Sequence, residues 1–372
     1  MRYYTLDISN VIARVAHFDN NREEAYIILH HRDPRNTDIR RLLEDIGAAT
    51  GVIAERLNMK PVFKRFLMSD VTNQSSLLPE HDDCARSVIQ QPPLDGSKVV
   101  LMVIMQQHSS FKDNGDGVWV DDLGRIWIGD NENITSSYSL SMTMEYLETM
   151  SRDIAARGGR MADHCLRTWF YVRDVDNNYA GVVKGRNEVF AREGLTAETH
   201  YIASTGIAGQ SADPSRIVAF NAFADTGLRP EQIRYLYGRS HLNPTYEYGV
   251  AFERGTAVDY GDRRHIYISG TASINNRGEI VAPGDIVAQT ERMLENIGVL
   301  LAEGECAWDE VTNMIIYLRD MADYHTVERI VSQRFPDVPH VILLAPVCRP
   351  GWLIETECMA VKRIDRPEYA PF

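Results

Sequence analysis

Near its C-terminus the chain reads Val347-Cys348-Arg349-Pro350-Gly351-Trp352-Leu353-Ile354-Glu355-Thr356-Glu357-Cys358-Met359-Ala360. Pro350-Gly351 predicts a turn, and the residues after it are typical of a β-strand. Because side chains alternate along a strand, Glu355 and Glu357 share one face, about 7 Å apart. Such a pair is either the solvated charge of an edge strand or a carboxylate held at the mouth of a cleft for proton transfer.

The elements that surround this strand recur along the chain. Strands that end in Asp are predicted at residues 62–70, 165–174 and 311–320. Long helices are predicted before them, at residues 37–57, 139–157 and 285–303. A final strand follows each Asp-ended strand, at residues 99–105, 216–224 and 353–361. Each repeat is therefore predicted to be a small α+β unit with its helices on one face of a sheet.

Three such units in one chain predict a covalently fused pseudo-trimer, the single-chain counterpart of a closed cyclic trimer. We predict units at residues 1–115, 116–232 and 233–372. The second helix of the first unit is weak, because residues 75–93 are polar and Pro-rich. The first unit is therefore predicted to be degenerate or to carry a long loop.

The final strands differ in the side chains that they carry. Aligned by hand, Glu355 and Glu357 of the third unit fall opposite Ala219 and Asn221 of the second. The first unit has only apolar residues there, at 100–103. This pattern predicts one working cleft and two that have lost the acid.

Composition excludes several classes of function. The chain has 372 residues, 44% hydrophobic and 24% charged, and a net charge of −13. That charge argues against sequence-independent binding to nucleic acid and against binding to an anionic membrane surface. The five cysteines are scattered and form no CxxC pair, which argues against a disulfide framework or a zinc site. The start of the chain shows no signal peptide, so we expect a cytoplasmic protein.

Several stretches together resemble segments of one protein superfamily. They are Arg167-Thr168-Trp169-Phe170-Tyr171, Ala203-Ser204-Thr205-Gly206-Ile207, Ile268-Ser269-Gly270-Thr271-Ala272-Ser273-Ile274, Pro283-Gly284-Asp285 with Ala288-Gln289, and Val347-Cys348-Arg349-Pro350 with Glu355-Thr356-Glu357. The superfamily is YjgF/Rid, whose members are small trimers with clefts between subunits. Within it, the chain more closely resembles the chorismatases, which are single chains of fused YjgF-like units.

The resemblance implies an enzyme that removes the enolpyruvyl group of chorismate, or of a close cyclohexadiene carboxylate, as pyruvate. Glu355 matches the family's general acid, and burial beside Glu357 is expected to raise its pKa towards neutral. Arg167 matches an arginine that would bind a substrate carboxylate. The other residues implied in substrate binding are Tyr171, Gly206, Tyr237, Gly270, Thr271, Cys348 and Arg349.

Each of these residues also has an ordinary structural explanation, as a turn glycine, a packed tyrosine, a capping arginine or an inert buried cysteine. Two other functions stay open. One is a Rid-type imine or enamine deaminase, although His340 and Val341 stand where such enzymes have a carboxylate-binding arginine. The other is a non-enzymatic module that binds a small molecule.

Motifs for metals and cofactors are missing from the sequence. It has no HxxxH spacing, no His/Cys cluster, no nucleotide-binding glycine loop and no GxSxG elbow. We therefore predict no metal and no cofactor. The expected partner is a small-molecule carboxylate, and neither nucleic acid nor membrane. A monomeric pseudo-trimer is expected, with further association left open.

Overall fold

Three mixed sheets, each with its own long helix, form the body of the protein. The computed structural model describes residues 1–34, 36–131 and 133–372. The first module contains β1 Arg2–Ile8, β2 Val11–Phe18, β3 Glu24–His31, α1 Ile39–Leu57, β4 Lys60–Met68, α2 Val71–Gln74, β5 Ala85–Gln90 and β6 Val99–Gln106. The predicted α+β fold of three fused YjgF-like units is confirmed.

The second module supplies the next elements in the chain. They are β7 Lys112–Asp113, β8 Val118–Val120, β9 Arg125–Ile128, α3 Ser139–Ala155, α4 Met161–His164, β10 Cys165–Val172, α5 Val175–Glu193, β11 Ala203–Ala208, β12 Gln210–Ser211 and β13 Val218–Asp225. The third module contains β14 Ile233–Leu236, β15 Gly255–Asp259, β16 Arg263–Ala272, α6 Ile286–Glu303, β17 Val311–Leu318, α7 Tyr324–Arg334, β18 His340–Leu344 and β19 Ile354–Arg363.

The sheets share one topology. Their strand orders are β1-β2-β3-β6-β4-β5-β12, β11-β10-β13-β9-β8-β7 and β14-β15-β16-β19-β17-β18. In each sheet the final strand lies centrally and pairs antiparallel with the Asp-ended strand, which in turn pairs parallel with one further strand. Because the final strands are central, none of them forms an exposed edge, and their side chains are buried except at the last two residues of β19.

The long helices form where the apolar periodicity predicts them. In α6 the side chain of Asp285 accepts a hydrogen bond from the Ala288 N–H at 3.0 Å and caps the first turn. The face towards the sheet buries Met293, Ile297 and Leu301 among others. In the first module the second helix is reduced to the four residues of α2, as its polar sequence indicates.

Strand register confirms the alignment of the final strands. Ala219 lies opposite Tyr171, and Glu355 lies opposite Tyr317, so Ala219 and Glu355 occupy equivalent places. Val100 takes that place in β6. Only the third module therefore carries a carboxylate at this position of its final strand.

The modules also exchange strands at their seams. The two residues of β12, from the second module, pair with β5 in the first sheet. The two residues of β7 pair in the second sheet, although residues 112–113 fall inside the first predicted unit. The unit boundaries at 115/116 and 232/233 stay predictions. No helix in the described part of the chain is long and apolar enough to cross a membrane.

Candidate active site

One cavity lies at the seam between the second and third modules. Strand β11 runs beside the third module, where the Ala208 N–H donates to the Pro346 carbonyl at 3.1 Å and the Ser204 N–H donates to Ser269 Oγ at 2.8 Å. The free space inside the cavity is about 20 Å³, room for about one water molecule. Of the residues predicted from the sequence, it is lined by Gly206, Gly270, Cys348, Arg349 and Glu355.

Glu355 reaches this cavity from the second residue of β19 and is only 4% exposed. The turn before the strand is held by Gln289 of α6, whose side chain donates to the Gly351 carbonyl at 3.1 Å and accepts from the Leu353 N–H at 3.0 Å. Burial, reinforced by the negative charge of Glu357, raises the pKa of Glu355 to about 8. The carboxyl group is therefore largely protonated at neutral pH and can act as an acid.

Gly270 makes room for that carboxyl group. A Cβ atom at this position would lie 2.1 Å from Oε1 of Glu355. Gly206 has the same relation to Tyr179 of α5, because a Cβ atom there would lie 2.7 Å from Cε2 of the ring. Each glycine thus allows a neighbouring side chain to approach the backbone closely, which any larger residue would prevent.

Three guanidinium groups line the cavity, from Arg186, Arg254 and Arg349. Arg186 lies on the buried face of α5, is 1% exposed, and makes no hydrogen bond or ion pair with any described residue. Arg254 donates to the Asn243 carbonyl at 2.9 Å but has no carboxylate partner in the described ranges. Since Glu355 is the one carboxyl group in this lining and is protonated, the cavity carries a net positive charge and suits an anion.

Aromatic rings and a thiol complete the walls. The Arg349 guanidinium lies 4.7 Å from the ring centroid of Tyr248 and 5.4 Å from that of Trp352. Burial, with Glu355 nearby, raises the pKa of the Cys348 thiol to about 12. That thiol is therefore uncharged at neutral pH and is a packing group, not a thiolate nucleophile.

Arg167 lies outside this cavity, contrary to the expectation of a crevice shared with Glu355. It is 2% exposed, and its Nη2 donates to Glu357 Oε2 at 2.8 Å and to Thr205 Oγ1 at 2.5 Å. Strand alternation determines the face on which a side chain lies but not the module that the side chain contacts. Arg167 contacts Glu357, which shares a strand face with Glu355. Its predicted role in substrate binding stays a prediction that these contacts do not favour.

Three further predicted residues also lie elsewhere. Tyr171 packs its ring 5.4 Å from the guanidinium of Arg65, at the centre of the three modules. Thr271 is buried and donates to the Ser269 carbonyl at 2.9 Å. Tyr237 lines a separate surface cavity. Their assignment to the substrate site stays untested.

A second, partly buried carboxyl group occurs between the first and second modules. Counted two residues beyond the registered pairs Ile128–Ala222 and Ile268–Cys358, Asp130 falls at the place of Gly270, and by strand register the equivalent of Glu355 is Ala219. The acid has moved to the neighbouring strand, where Asp130 Oδ2 accepts the Val88 N–H at 2.8 Å and burial raises its pKa to about 7. The cleft between these modules has thus lost the acid of its final strand but still contains a carboxyl group.

Only one group of possible metal ligands occurs among the described residues, namely Asp82, Asp83 and Cys84. The ammonium group of Lys64 already binds both carboxylates, at 2.5 and 2.8 Å. A bound cation would compete with that ammonium group, so this cluster does not point to a metal. The prediction of a metal-free protein stays a prediction.

The main residues that sequence reasoning missed are Tyr179, Arg186 and Arg254. Arg186 carries the clearest signal, since it stands on the apolar face of α5 between Val182 and Phe190. A cation inside an apolar helical stripe is rarely buried without a function. Tyr179 and Arg254 show no such pattern. Tyr179 reaches the cavity across the seam from α5, and Arg254 reaches it from the loop before β15.

Comparison with known proteins places this geometry in context. A family model described as endoribonuclease L-PSP matches residues 255–362. A RutC family protein of Pyrococcus abyssi is 33% identical over 100 residues, which cover 26% of this chain and 78% of that protein. The 3-aminoacrylate deaminase RutC of Acinetobacter baylyi is 33% identical over 72 residues, which cover 19% of this chain and 57% of that protein.

Two longer similarities extend beyond the third module. A 3-hydroxybenzoate synthase of Streptomyces hygroscopicus is 26% identical over 215 residues, which cover 51% of this chain and 62% of the synthase. The crystal structure of a chorismatase superposes with a TM-score of 0.64 at 18% identity and covers 81% of this chain and 92% of the chorismatase. The superposition shows a shared fold. The chain spans less than two thirds of the length of the deaminase and of the synthase.

Proposed function

Because this chain belongs to the YjgF/Rid superfamily, we propose that it is a chorismatase-like enzyme with Glu355 as its general acid. The proposed substrate is chorismate or a close cyclohexadiene carboxylate, and the proposed product is pyruvate from the enolpyruvyl group. The chorismatase fold and the similarity to a 3-hydroxybenzoate synthase support this choice within the superfamily.

The observation that carries the proposal is a protonated carboxyl group in a cavity lined by three guanidinium groups. Glu355 keeps its proton at neutral pH because it is buried and stands beside Glu357. Arg186, Arg254 and Arg349 have no carboxylate partner within the described ranges. Protonation of an enol ether that carries two carboxylates requires an uncharged acid and cations that bind the carboxylates.

Glu355 would transfer its proton to the methylene carbon of the enol ether. The adjacent carbon, bonded to the ether oxygen, becomes oxocarbenium-like and is attacked by water, which gives a proton back to the Glu355 carboxylate and forms a hemiketal. Collapse of the hemiketal breaks the bond between this carbon and the ring oxygen, the hemiketal hydroxyl proton passes to that oxygen, and pyruvate and a ring hydroxyl group are the products. Protonation of carbon is slow, so an acid with a pKa near the working pH is needed, and general-acid catalysis of this kind contributes about 10²–10⁴-fold.

The arginines would bind the two carboxylates of the substrate. The planar guanidinium group binds two oxygens at once, and Arg186 has donors free for this purpose inside a buried site. Phe252 lies beneath it, with its ring centroid 5.7 Å from the guanidinium carbon. Arg349, which is less buried, would bind the carboxylate nearer the cavity mouth.

A Rid-type deaminase is the alternative, supported by the similarity to a 3-aminoacrylate deaminase. The residue at the arginine position of such enzymes is His340, the first residue of β18, and burial lowers its pKa to about 4. It receives a hydrogen bond from Arg14 at 3.1 Å, at the seam with the first module. An uncharged histidine at another seam is a poor carboxylate ligand for the Glu355 cavity.

Purified protein incubated with chorismate tests the proposal, with pyruvate measured by coupling to lactate dehydrogenase. We expect pyruvate from the wild type and a loss of about 10²–10⁴-fold in rate for Glu355→Gln. Gly51→Ala is a matched control, since no atom lies within 4 Å of a Cβ at that position of α1. Pyruvate release that persists in Glu355→Gln would remove this residue from the mechanism. If the wild type releases none, an imine-hydrolysis assay tests the deaminase alternative.

A further inference from the structure

We propose that Arg65 and Arg167 are positioning residues which act on Glu355 through Glu357, so that all three modules contribute to one acid site. The inference rests on the proposed function of Glu355 as general acid. The first module has no acid on its own final strand, but through Arg65 it would contribute to the chemistry of Glu355 in the third module.

Glu357 is where the three modules meet. Its carboxylate accepts hydrogen bonds from Arg167 Nη2 at 2.8 Å, Trp169 Nε1 at 2.9 Å and Arg65 Nη1 at 3.4 Å. Arg65 belongs to the first module, Arg167 and Trp169 to the second, and Glu357 to the third. All of these side chains are buried, so the ion pairs are poorly screened by solvent.

The two guanidinium groups are held in place by one ring. The carbon of the Arg65 guanidinium lies 4.8 Å from the ring centroid of Trp169, and that of Arg167 lies 4.6 Å from it. Phe63 flanks Arg65 from its own strand, at 5.3 Å. Glu357 is the one carboxylate bound to either arginine among the residues that the structure describes. The arrangement therefore fixes one negative charge at a defined place.

A short chain of hydrogen bonds connects this group to Glu355. Arg167 Nη2 donates to Thr205 Oγ1 at 2.5 Å, and that oxygen also accepts the Gly270 N–H at 3.0 Å. Gly270 is the residue whose missing Cβ leaves space for Oε1 of Glu355. Arg167 thus supports the backbone against which the acid lies, while Glu357 acts on the acid electrostatically from two residues along the same strand.

The charges near Glu355 have opposite effects on its pKa. Glu357 raises it, and Arg167 and Arg254 lower it, on top of the larger increase from burial. The charged and titratable groups that face Glu355 or its cavity are Glu357, Arg167, Tyr179, Arg186, Tyr248, Arg254, Tyr317, Cys348 and Arg349. Among them Glu357 is the one carboxylate, so its charge favours retention of the proton on Glu355.

Arg65 and Arg167 do not line the substrate cavity. A direct substrate ligand and a positioning residue differ in their kinetics, because loss of a ligand raises KM whereas loss of a positioning residue lowers kcat. Loss of positive charge beside Glu357 and Glu355 also makes the proton of Glu355 harder to remove. Loss of the negative charge of Glu357 makes it easier to remove. The two kinds of variant must therefore shift the pH profile in opposite directions.

The test is the pH profile of chorismate turnover in Arg65→Met, Arg167→Met and Glu357→Gln. In the arginine variants we expect kcat to fall about tenfold or more with KM nearly unchanged. We also expect the basic limb of the pH profile, where activity is lost as the acid loses its proton, to move to higher pH. In Glu357→Gln we expect that limb to move to lower pH by about one unit. Arg192→Met, at an exposed surface arginine, is the control and should leave the profile unchanged.

Two results would overturn the inference. One is a rise in KM for Arg167→Met as large as that for Arg186→Met, which would make Arg167 a substrate ligand. The other is a loss of activity in all three variants with no shift in the basic limb of the pH profile. That result would mean that Arg65, Arg167 and Glu357 have only a structural role. If Arg167→Met does not fold, Arg167→Lys should keep the wild-type limb, and the direction of the Glu357→Gln shift still decides the question.

The inference can also be tested if the proposed substrate is wrong. Glutamate labelled with ¹³C at the side-chain carboxyl allows the titration of Glu355 to be followed by NMR without turnover, with Glu355→Gln used to assign the signal. The same upward shifts in the arginine variants and downward shift in Glu357→Gln are expected. Absence of pyruvate with these shifts present would reject the proposed reaction alone. An unmoved titration would reject the proposed role of Arg65, Arg167 and Glu357.

Discussion

The backbone of Gly270 and the carboxyl group of Glu355 are in such close contact that a Cβ atom on residue 270 would lie 2.1 Å from Oε1. The contact joins β16 and β19, the two strands that carry the cavity floor of the third module. It also explains why the equivalent of Gly270 in the neighbouring cleft can be Asp130, where the final strand has only Ala219. The space between these two positions holds one carboxyl group, which can come from either strand but not from both.

Gly270→Ala should displace the acid without unfolding the protein, because the obstructing atom is the end of a flexible side chain. We expect pyruvate release to fall by about 10²-fold or more, the lower end of what general-acid catalysis contributes. Thermal unfolding and pyruvate release measured on the same preparation check this. Wild-type activity in Gly270→Ala would show that the acid does not need this position.

Arg186→Met should weaken substrate binding without destabilising the fold. The buried guanidinium group has no hydrogen-bond or ion-pair partner to lose among the described residues, so its replacement removes a buried charge that no carboxylate balances. We expect KM to rise about 10- to 100-fold, the equivalent of one charged hydrogen-bonding group, with the free energy of unfolding unchanged or increased. Steady-state kinetics and urea denaturation measure the two quantities.

Arg125→Met is the matched comparison. Arg125 is also buried, but its Nε donates to Asp121 Oδ2 at 2.5 Å, so its removal leaves a carboxylate unpaired. We expect a loss of about 3–5 kcal/mol in the free energy of unfolding. Equal destabilisation in the two variants would mean that Arg186 has a structural partner after all.

The stability of the wild type relative to Glu355→Gln should depend on pH. The folded protein raises the pKa of Glu355 from 4.5 to about 8, so between these values the native state holds a proton that the unfolded chain has released. The contribution of this group is therefore fully present below pH 4.5 and is lost as pH rises through 8. Glu355→Gln should gain stability relative to the wild type over this interval, on the order of 2–5 kcal/mol. Urea midpoints at pH 5 and pH 8.5 measure the difference, and a constant difference would contradict the raised pKa.

Asp130→Asn distinguishes the two clefts. Its pKa is raised to about 7 by burial, but the groups around it do not form a guanidinium-lined cavity like that around Glu355. We expect pyruvate release within about twofold of the wild type, in contrast to the loss of about 10²–10⁴-fold for Glu355→Gln. A comparable loss in both variants would assign a catalytic part to the second cleft.

Much of the architecture follows from local sequence patterns. Asp285 and the apolar stripe behind it specify α6, and the recurrence of Asp-ended strands specifies the three modules. The resemblance implies Glu355, Gly270 and Cys348, and all three line the cavity from one module, with Gly270 on β16 and Glu355 on the paired strand β19.

The rest of the site depends on how the modules face one another. Arg186 reaches the cavity across the seam from a helix of the second module, and no periodicity in the sequence measures that distance. Arg254 reaches it from a loop of the third module, just before β15. Arg167 meets Glu357 and does not line the cavity that holds Glu355, so its predicted role as a substrate ligand stays a prediction. Contacts between modules are therefore the part of the site that the sequence does not predict.

The most direct test of the account is the protonation of Glu355 itself, followed by ¹³C NMR of the labelled side-chain carboxyl between pH 4 and pH 10. The account predicts a midpoint close to 8, well above the ordinary value of 4.5 for a glutamate. A midpoint close to 4.5 would mean that this carboxyl group is ionised at neutral pH and cannot serve as the acid.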